Sequence, residues 1–208
     1  MNILHYFSGD EDKRARFIFN LIAPVYGLID RAVSENYRDV VEELNRRIPL
    51  AGQTVLDVGT GTGGWLAALA RYPLAEAVGV DFSEKMVLQA RKKHPELHFE
   101  AADGKALKPF ADNSFDIVTC SFVMHGMKRD LRQSVLREMF RVARRVVVIH
   151  DFYEPLDWPT RLLESLEKSD YKNFLRTFTG EMKEHTPDLE IITVNKGNGL
   201  YVGYKLKS

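Results

Sequence analysis

The chain of 208 residues carries 29 Lys and Arg against 29 Asp and Glu, so its formal charge is zero, and 45% of its residues are hydrophobic. This composition is typical of a globular protein, and the charge balance excludes a strong overall attraction to nucleic acid or anionic lipid. Cys120 is the single cysteine, which excludes an internal disulfide framework and a cysteine-cluster zinc site. No secretory signal or membrane-spanning run is predicted, and we expect a cytoplasmic location.

The elements predicted along the chain begin with a helical stretch over residues 14–47, interrupted at Pro24. From Thr54 onwards, short apolar runs alternate with helical patterns. The predicted strands are Thr54–Val58, Ala77–Asp81, Leu97–Ala101, Phe115–Ser121 and Val146–His150. The predicted helices between them are Trp65–Arg71, Glu84–Lys93 and Arg129–Ala143. Repeated strand–helix–strand units indicate right-handed crossovers and a mostly parallel sheet, covered by helices on both faces.

The C-terminal third has a different pattern. Residues 160–175 are predicted to form one or two helices, and Leu189–Val194 and Leu200–Leu206 are predicted strands. The turn signal at residues 196–199 between these strands indicates an antiparallel hairpin. The predicted fold is therefore an α/β three-layer sandwich with a mostly parallel seven-stranded sheet. We expect one domain, with a helical extension or lid (1–50), a core (51–154), a helical insertion (155–188) and a hairpin (189–208).

A glycine-rich segment follows the first predicted strand and is the most informative feature of the sequence. Glycines at such a position let the backbone turn tightly and approach a ligand where a Cβ would collide. The start of the following helix offers unpaired N–H groups, which suit a carboxylate or a phosphate. Gly59, Gly61 and Gly64 also have the spacing of the dinucleotide fingerprint, so an NAD-dependent dehydrogenase is one alternative. A turn without any ligand is another.

Acidic residues at the ends of the predicted strands narrow the choice of ligand. Asp81 ends the second strand, where a carboxylate can accept hydrogen bonds from both hydroxyls of a ribose. Phe82 beside it offers a face to a purine, and Asp103-Gly104 after the third strand can bond an adenine edge. Asp57 lies inside an apolar strand, where a buried carboxylate needs a partner such as an ammonium group. A ligand with adenine, ribose, carboxylate and ammonium would use all of these groups.

Three segments carry a resemblance to a known family. Residues 56–63 (LDVGTGTG) resemble the first motif of class I S-adenosylmethionine-dependent methyltransferases, and residues 79–86 (GVDFSEKM) resemble their second. Residues 109–118 (PFADNSFDIV) resemble the segment that enters their fourth strand. Within this superfamily the sequence is most similar to the ubiquinone/menaquinone-biosynthesis C-methyltransferases, and residues 22–26 (IAPVY) resemble the N-terminal element of that group.

The resemblance implies a Rossmann-like fold, S-adenosylmethionine as cofactor and a small-molecule methyl acceptor, such as a quinone-like or other apolar ring compound. It places Ser121 near the sulfonium and Tyr26 in a lid over the cofactor. The other implied cofactor residues are Asp57, Gly59, Thr60 and Gly61 at the methionine moiety, Asp81 at the ribose, Phe82 and Met86 at the adenine face, and Asp103 and Gly104 at the adenine edge. Two departures from the quinone-methylating group are Gly27, where an acid is usual, and the missing Pro-Gly-Gly turn before residue 146.

Methyl transfer from a sulfonium depends chiefly on alignment, although some acceptors also need a base. The candidate catalytic residues are His125, after the fourth predicted strand, and Tyr26. His150, Asp151 and Tyr153, at or after the end of the fifth strand, are further candidates. For the histidines and Asp151 the alternative is a structural role, as pocket lining or as strand-end residues paired to the lid. The sequence also leaves open a module that binds the cofactor without catalysis.

A basic segment and a pair of histidines are the two remaining features of the sequence, and neither is predicted to carry a function. Seven Lys and Arg lie between residues 128 and 145 against two acids, which suits an RNA or acidic partner or simply a solvated helix face. We favour the solvated face and expect no nucleic-acid partner, because no aromatic residues interleave with the arginines. His94 and His98 have helical spacing, but Pro95 lies between them and no third ligand is evident, so we expect no metal site.

Overall fold

The structure, a computed structural model, describes residues 37–154, 170–194 and 197–205. These residues form one seven-stranded sheet with helices on both faces. The strands are β1 (Thr54–Val58), β2 (Glu76–Asp81), β3 (His98–Ala101), β4 (Phe115–Ser121), β5 (Ala143–Phe152), β6 (Leu189–Val194) and β7 (Asn198–Tyr204). The helices are α1 (described over 37–47), α2 (Gly64–Leu69), α3 (Glu84–Lys93), α4 (Arg129–Val142) and α5 (Tyr171–Lys183), with a 3₁₀ turn at Met124–Gly126.

The strand order in the sheet is β3-β2-β1-β4-β5-β7-β6. β1 to β5 pair in parallel, whereas β7 pairs antiparallel with both β5 and β6. The predicted mostly parallel sheet with a C-terminal antiparallel hairpin is therefore confirmed. The order reverses between β1 and β4, and in open α/β sheets such a switch point leaves a ligand crevice at the carboxyl ends of the strands.

The central strands are largely apolar, and their successive residues point to opposite sides of the sheet. Both faces of the sheet are therefore apolar. Val55 belongs to a buried cluster shared with α1, α2 and α3, whereas Leu56 belongs to a second cluster shared with α4 and α5. Both side chains are fully buried. Two separate cores thus hold the helical layers against the sheet and fix the positions of the strand ends.

Several element boundaries differ from the sequence-based predictions. β5 runs on to Phe152, so His150 and Asp151 lie within the strand and do not follow it. β7 begins at Asn198, which was predicted to lie in a turn, and α5 continues to Lys183, beyond the predicted end at residue 175. The predicted helices over 14–36 and 160–169 lie outside the described residues. In the ranges that the structure describes, no helix has the length and apolar character needed to cross a membrane.

The prediction that the arginines around α4 form a solvated face is wrong at Arg132. Its side chain is fully buried, and its guanidinium donates two hydrogen bonds to the carboxylate of Glu181, at 2.7 and 2.8 Å. It also donates to Asp170 at 2.9 Å and to the carbonyl oxygen of Met127. Arg132 therefore links α4 to α5. Its buried guanidinium is stable because its donors are paired with acceptors.

Candidate functional site

The candidate site lies where β1, β2, β3, β4 and β5 end. Parallel pairing brings these ends to the same edge of the sheet. Ser121 at the end of β4 is in register with His150 on β5, and Asp81 at the end of β2 is in register with Ala101 on β3. The loop after β1 lies between them, because β1 pairs with both β2 and β4. Residues that are far apart in the sequence thus converge on one edge.

The glycine loop turns sharply after β1 and is held against β2. The backbone nitrogens of Gly59 and Thr60 both donate to the carbonyl oxygen of Val80, at 2.8 and 2.9 Å. Gly59 has a φ of 75°, and a Cβ there would lie 2.7 Å from Cγ2 of Val123, so only glycine fits. Gly61 has a φ of 55° but faces open space, with nothing within 4 Å of a Cβ built on it. The loop is tightly packed on one side and open on the other.

The carboxylate of Asp81 connects the end of β2 to this loop. Its two oxygens accept hydrogen bonds from the backbone nitrogens of Gly61, at 2.9 Å, and Ser83, at 2.8 Å. The side chain is buried, and burial raises its pKa, although the two hydrogen bonds act in the opposite direction. The structure therefore brings together Asp81 and the glycine loop, both of which were predicted to bind the cofactor.

Asp57 is buried without a partner. Only 1% of its surface is exposed, and neither carboxylate oxygen has a hydrogen-bond partner among the described residues. The hydroxyl of Thr60 is also buried and unpartnered in this part of the chain. Desolvation raises the pKa of Asp57 to about 7, the nearby hydroxyl of Thr60 acts in the opposite direction, and the charge of Asp81 adds to the increase. A carboxylate in this position is costly unless a cation or donor from outside the protein pairs with it, which fits the ammonium group expected for the ligand.

The residues predicted to contact adenine lie along the neighbouring strand ends. Phe82 is partly buried and Met86, on α3, is buried. The backbone nitrogen of Ala102 donates to the carbonyl oxygen of Asp81 at 3.0 Å, which places Asp103 and Gly104 beside the end of β2. Asp103 itself accepts from the backbone nitrogen of Lys105 at 3.0 Å.

A polar and aromatic cluster surrounds Ser121 at the end of β4. Its hydroxyl lies 2.9 Å from Nδ1 of His150 and 3.4 Å from the hydroxyl of Tyr37 on α1. The imidazole of His150 stacks on Trp65 with a centroid distance of 5.0 Å, and the indole of Trp65 donates to Thr119 at 3.0 Å. Burial lowers the pKa of His150 to about 4, so this histidine is neutral at physiological pH.

His125 and Asp151 form a second pair at the same edge. Nδ1 of His125 lies 2.8 Å from one carboxylate oxygen of Asp151, and the side chain of Asp151 is fully buried. The imidazole is 13% exposed. One sequence-based alternative pairs Asp151 with the lid. Among the described residues, its side-chain partner is His125.

Aromatic rings enclose the imidazole of His125. The ring centroids of Phe152, Phe122 and Phe174 lie 4.7, 6.4 and 6.4 Å from that of His125. Tyr171 packs edge-on against Phe152 at 5.4 Å. These rings come from β5, the loop after β4 and α5, so the apolar enclosure exists only in the folded chain.

Sequence reasoning missed several residues of the site. Tyr37 and Trp65 were assigned only to apolar helical stretches, and Phe152 and Phe174 were not considered. Tyr37, Phe152 and Phe174 lie far from the motifs along the chain, whereas Trp65 directly follows the glycine loop and was assigned only to the apolar face of a helix. Tyr153 is 39% exposed and packs edge-on against Tyr201. Tyr26 lies outside the described residues.

Comparison with known proteins agrees with this geometry. A family model described as a methyltransferase domain matches residues 55–145. The demethylmenaquinone methyltransferase of Chlorobaculum tepidum is 33% identical over 178 residues, which is 82% of this chain and 72% of that protein. The demethylmenaquinone methyltransferase of Chlorobaculum parvum is 31% identical over 177 residues, with the same coverage of both chains. The ubiquinone/menaquinone biosynthesis C-methyltransferase of Roseobacter denitrificans is 32% identical over 145 residues, covering 65% of this chain and 57% of that one.

Solved structures share the fold at lower identity. Magnesium protoporphyrin IX methyltransferase from Synechocystis, with bound S-adenosylhomocysteine, has a TM-score of 0.63 at 18% identity, covering 98% of this chain and 99% of that chain. Phosphoethanolamine N-methyltransferase 2 from Haemonchus contortus, in complex with S-adenosylmethionine, has a TM-score of 0.59 at 23% identity, covering 73% of this chain and 37% of that one. The relatives by sequence and the neighbours by fold agree, and the chain belongs to the class I S-adenosylmethionine-dependent methyltransferases, close to those of ubiquinone and menaquinone biosynthesis.

Proposed function

We propose that this methyltransferase acts on a small apolar ring compound of the hydroquinone type. The observation that carries the proposal is the aromatic enclosure of His125, formed by Phe122, Phe152 and Phe174, beside the strand end at Ser121. An enclosure of this kind favours a flat apolar acceptor, because stacked and edge-on ring contacts add to the burial of apolar surface. The relatives named demethylmenaquinone methyltransferase support the same acceptor class.

The proposal assigns the cofactor to the open side of the glycine loop. The unpartnered carboxylate of Asp57 would pair with the ammonium group of the methionine moiety, and Gly61 leaves the space that this moiety needs. Asp81 would bond the ribose hydroxyls from the end of β2. The remaining assignments are Gly59 and Thr60 at the methionine moiety, Phe82 and Met86 at the adenine face, Asp103 and Gly104 at the adenine edge, and Ser121 near the sulfur.

His125 is proposed as the base that accepts the proton of the acceptor. When bound, S-adenosylmethionine would supply an electrophilic methyl group to the acceptor, which gives up a proton in exchange. The rings around His125 exclude water and orient the acceptor, so that alignment provides a large part of the acceleration. The proton released by the acceptor moves to the imidazole, which becomes an imidazolium next to the carboxylate of Asp151.

The expectations for the undescribed ranges stay predictions. They include the part of the predicted lid (1–50) that precedes residue 37, with Tyr26 as cofactor or catalytic residue, and the part of the predicted helical insertion (155–188) that precedes residue 170. Two further expectations also stay predictions. They are the division of the single domain into segments at residues 50, 154 and 188, and the cytoplasmic location.

The proposal is tested by supplying S-adenosylmethionine with a tritiated methyl group and chemically reduced 1,4-naphthoquinone as the probe acceptor. We expect a singly methylated ring product, identified by mass spectrometry, and no transfer to glycine or to bulk transfer RNA. Absence of transfer to the naphthohydroquinone, in protein that binds S-adenosylhomocysteine, would reject the acceptor class.

Two neighbouring phenylalanines provide a matched pair of variants. Phe174 and Phe178 are both fully buried on α5 and stack on each other at 4.4 Å. Only Phe174 has a ring contact with His125, whereas Phe178 packs against Tyr201 at 4.9 Å. We expect both Phe174→Leu and Phe178→Leu to destabilise the fold to a similar extent. Only Phe174→Leu should also lower kcat/KM for the naphthohydroquinone. Equal effects of the two variants on kcat/KM would contradict the proposed acceptor position.

A further inference from the structure

We infer that Asp151 is a positioning residue, which holds His125 in the tautomer that leaves Nε2 as the basic nitrogen. The inference rests on the proposed function for its catalytic consequence, but the tautomer itself is a property of the protein alone. Nothing in the sequence motifs points to it, because Asp151 was expected to follow β5 and lies within it.

The carboxylate of Asp151 is saturated by donors. One oxygen lies 2.8 Å from Nδ1 of His125 and accepts from the backbone nitrogen of Phe152 at 2.9 Å. The other accepts from the backbone nitrogens of Met124 and His125, at 3.0 and 3.2 Å. The side chain is fully buried, so these contacts are not exchanged with water. The 3₁₀ turn that carries His125 is thus fastened to β5 by the same carboxylate that contacts its ring.

This arrangement determines which nitrogen of His125 carries the proton. A carboxylate that accepts three backbone hydrogen bonds acts as an acceptor toward its fourth partner as well, so Nδ1 of His125 is the donor. In the neutral imidazole the other nitrogen, Nε2, then holds the lone pair. When Nε2 takes a proton from the acceptor, the positive charge forms 2.8 Å from the carboxylate oxygen and is stabilised there.

Several of the described elements around this pair contribute titratable or ring groups. His150 comes from β5, Cys120 from β4, Tyr201 from β7, and Tyr171 from α5 through its contact with Phe152. Burial lowers the pKa of His150 to about 4 and raises the pKa of both Cys120 and Tyr201. These three groups are therefore neutral near pH 7, whereas the carboxylate of Asp151 contacts Nδ1 of His125 directly.

The tautomer is measured by long-range ¹H–¹⁵N correlation spectra of the full chain labelled with ¹⁵N-histidine. The chain has six histidines, and the spectrum of His125→Gln identifies the signals of His125 by their loss. We expect a protonated Nδ1 and an unprotonated Nε2 for His125 at neutral pH. A protonated Nε2 in the wild-type protein overturns the inference. This experiment needs no variant of Asp151 and no acceptor, so it remains decisive even if the proposed acceptor is wrong.

The catalytic consequence is tested with Asp151→Asn. The amide keeps one acceptor oxygen but presents an NH₂ group, which favours the opposite tautomer of His125. We expect the proton to move to Nε2 in the spectrum and kcat for 1,4-naphthohydroquinone to fall about 100-fold. The pH profile of kcat should also move to lower pH, because the imidazolium no longer has a carboxylate 2.8 Å from Nδ1.

Asp116→Asn is the matched control. Asp116 accepts from the backbone nitrogen of Thr54 at 3.0 Å and pairs with Arg144 at 2.7 Å, near the start of β4 and far from His125. We expect this variant to lose some stability and to keep the wild-type tautomer, kcat and pH profile. An Asp151→Asn protein that is folded and retains the wild-type pH profile and kcat would overturn the positioning role, because a merely structural residue leaves both unchanged.

Discussion

The carboxylate of Asp81, at the end of β2, accepts a hydrogen bond at 2.9 Å from the backbone nitrogen of Gly61, which lies in the loop after β1. The contact joins the carboxyl end of β2 to the loop after β1 and holds the open side of that loop in place. A residue proposed to bind the ribose therefore also shapes the surface proposed to hold the methionine moiety. A substitution of Asp81 is therefore expected to change cofactor binding in two ways, by removing the contact with the ribose and by altering the glycine loop.

Replacing Asp81 with alanine should weaken the binding of S-adenosylhomocysteine by about 1–3 kcal/mol, which is roughly 5- to 150-fold in Kd. The reason is the loss of the acceptor for the ribose hydroxyls and of the bond to Gly61. Isothermal titration calorimetry measures the change. Glu76→Gln serves as control, because Glu76 is exposed at the opposite end of β2. Unchanged affinity in Asp81→Ala would show that the ribose is held elsewhere.

The affinity for S-adenosylhomocysteine should rise about tenfold between pH 6 and pH 8 through Asp57. Burial raises the pKa of this carboxyl to about 7, so it is mostly protonated at pH 6 and mostly ionised at pH 8. Only the ionised form attracts the ammonium group of the ligand. Calorimetry across this range should give a nearly flat profile for Asp57→Asn. The same slope in both proteins would contradict the assigned partner.

Asp57 should also lower the stability of the unliganded protein as the pH rises. A carboxyl whose pKa is higher in the folded state binds its proton more tightly there, so folding is favoured at low pH. Relative to Asp57→Asn, the wild-type free energy of unfolding should fall by up to about 4 kcal/mol between pH 4 and pH 7. Urea unfolding at several pH values measures the difference. A wild-type free energy of unfolding that rises relative to that of Asp57→Asn over this pH range would contradict the prediction.

Alanine at Gly61 should weaken cofactor binding more than it destabilises the fold. Gly61 and Gly52 both have positive φ values, of 55° and 75°, and at both a Cβ would meet nothing within 4 Å. The backbone strain of alanine in either position is therefore similar, at about 1–2 kcal/mol. Gly61→Ala should lower the affinity for S-adenosylhomocysteine at least tenfold, because its Cβ enters the proposed cofactor space, and Gly52→Ala should leave it unchanged. Equal affinities in the two variants would place the cofactor away from Gly61.

Arg132→Ala should destabilise the protein by about 3–5 kcal/mol, because it leaves the buried carboxylate of Glu181 without its partner. Arg129→Ala is a matched control on the same helix. Its ion pair with Glu184 is about half exposed on both sides, so the expected loss is below about 1 kcal/mol. Urea unfolding of the two variants compares the two losses directly. Similar losses would show that the pairing of Arg132 with Glu181 adds little to stability.

The sequence predicted the parts of the site that depend on local pattern. The glycine loop, Asp81 and Ser121 each follow or end a short apolar strand, and parallel pairing is sufficient to bring them to one edge. The predicted strand boundaries were less accurate where charged residues interrupt the apolar pattern of a strand. Arg144 and Arg145 lie inside β5, but both are exposed, so a search for apolar runs places the start of the strand after them.

The remaining relationships depend on contacts between distant segments. His125 and Asp151 are 26 residues apart, and their pairing follows from the positions of the 3₁₀ turn and β5. Arg132 looked like part of a solvated face because its partner, Glu181, lies 49 residues further along, on a helix whose position the sequence does not reveal. Local periodicity cannot predict such pairs, because it contains no information about which helices meet.

We propose that the strand ends hold the cofactor and that the acceptor faces His125. A crystal structure of the full chain with S-adenosylhomocysteine and 1,4-naphthohydroquinone tests it most directly. We expect the ammonium group next to Asp57, the ribose hydroxyls on Asp81, and the ring of the acceptor between the sulfur and the imidazole of His125. Cofactor bound away from the glycine loop, or an acceptor remote from His125, would contradict it.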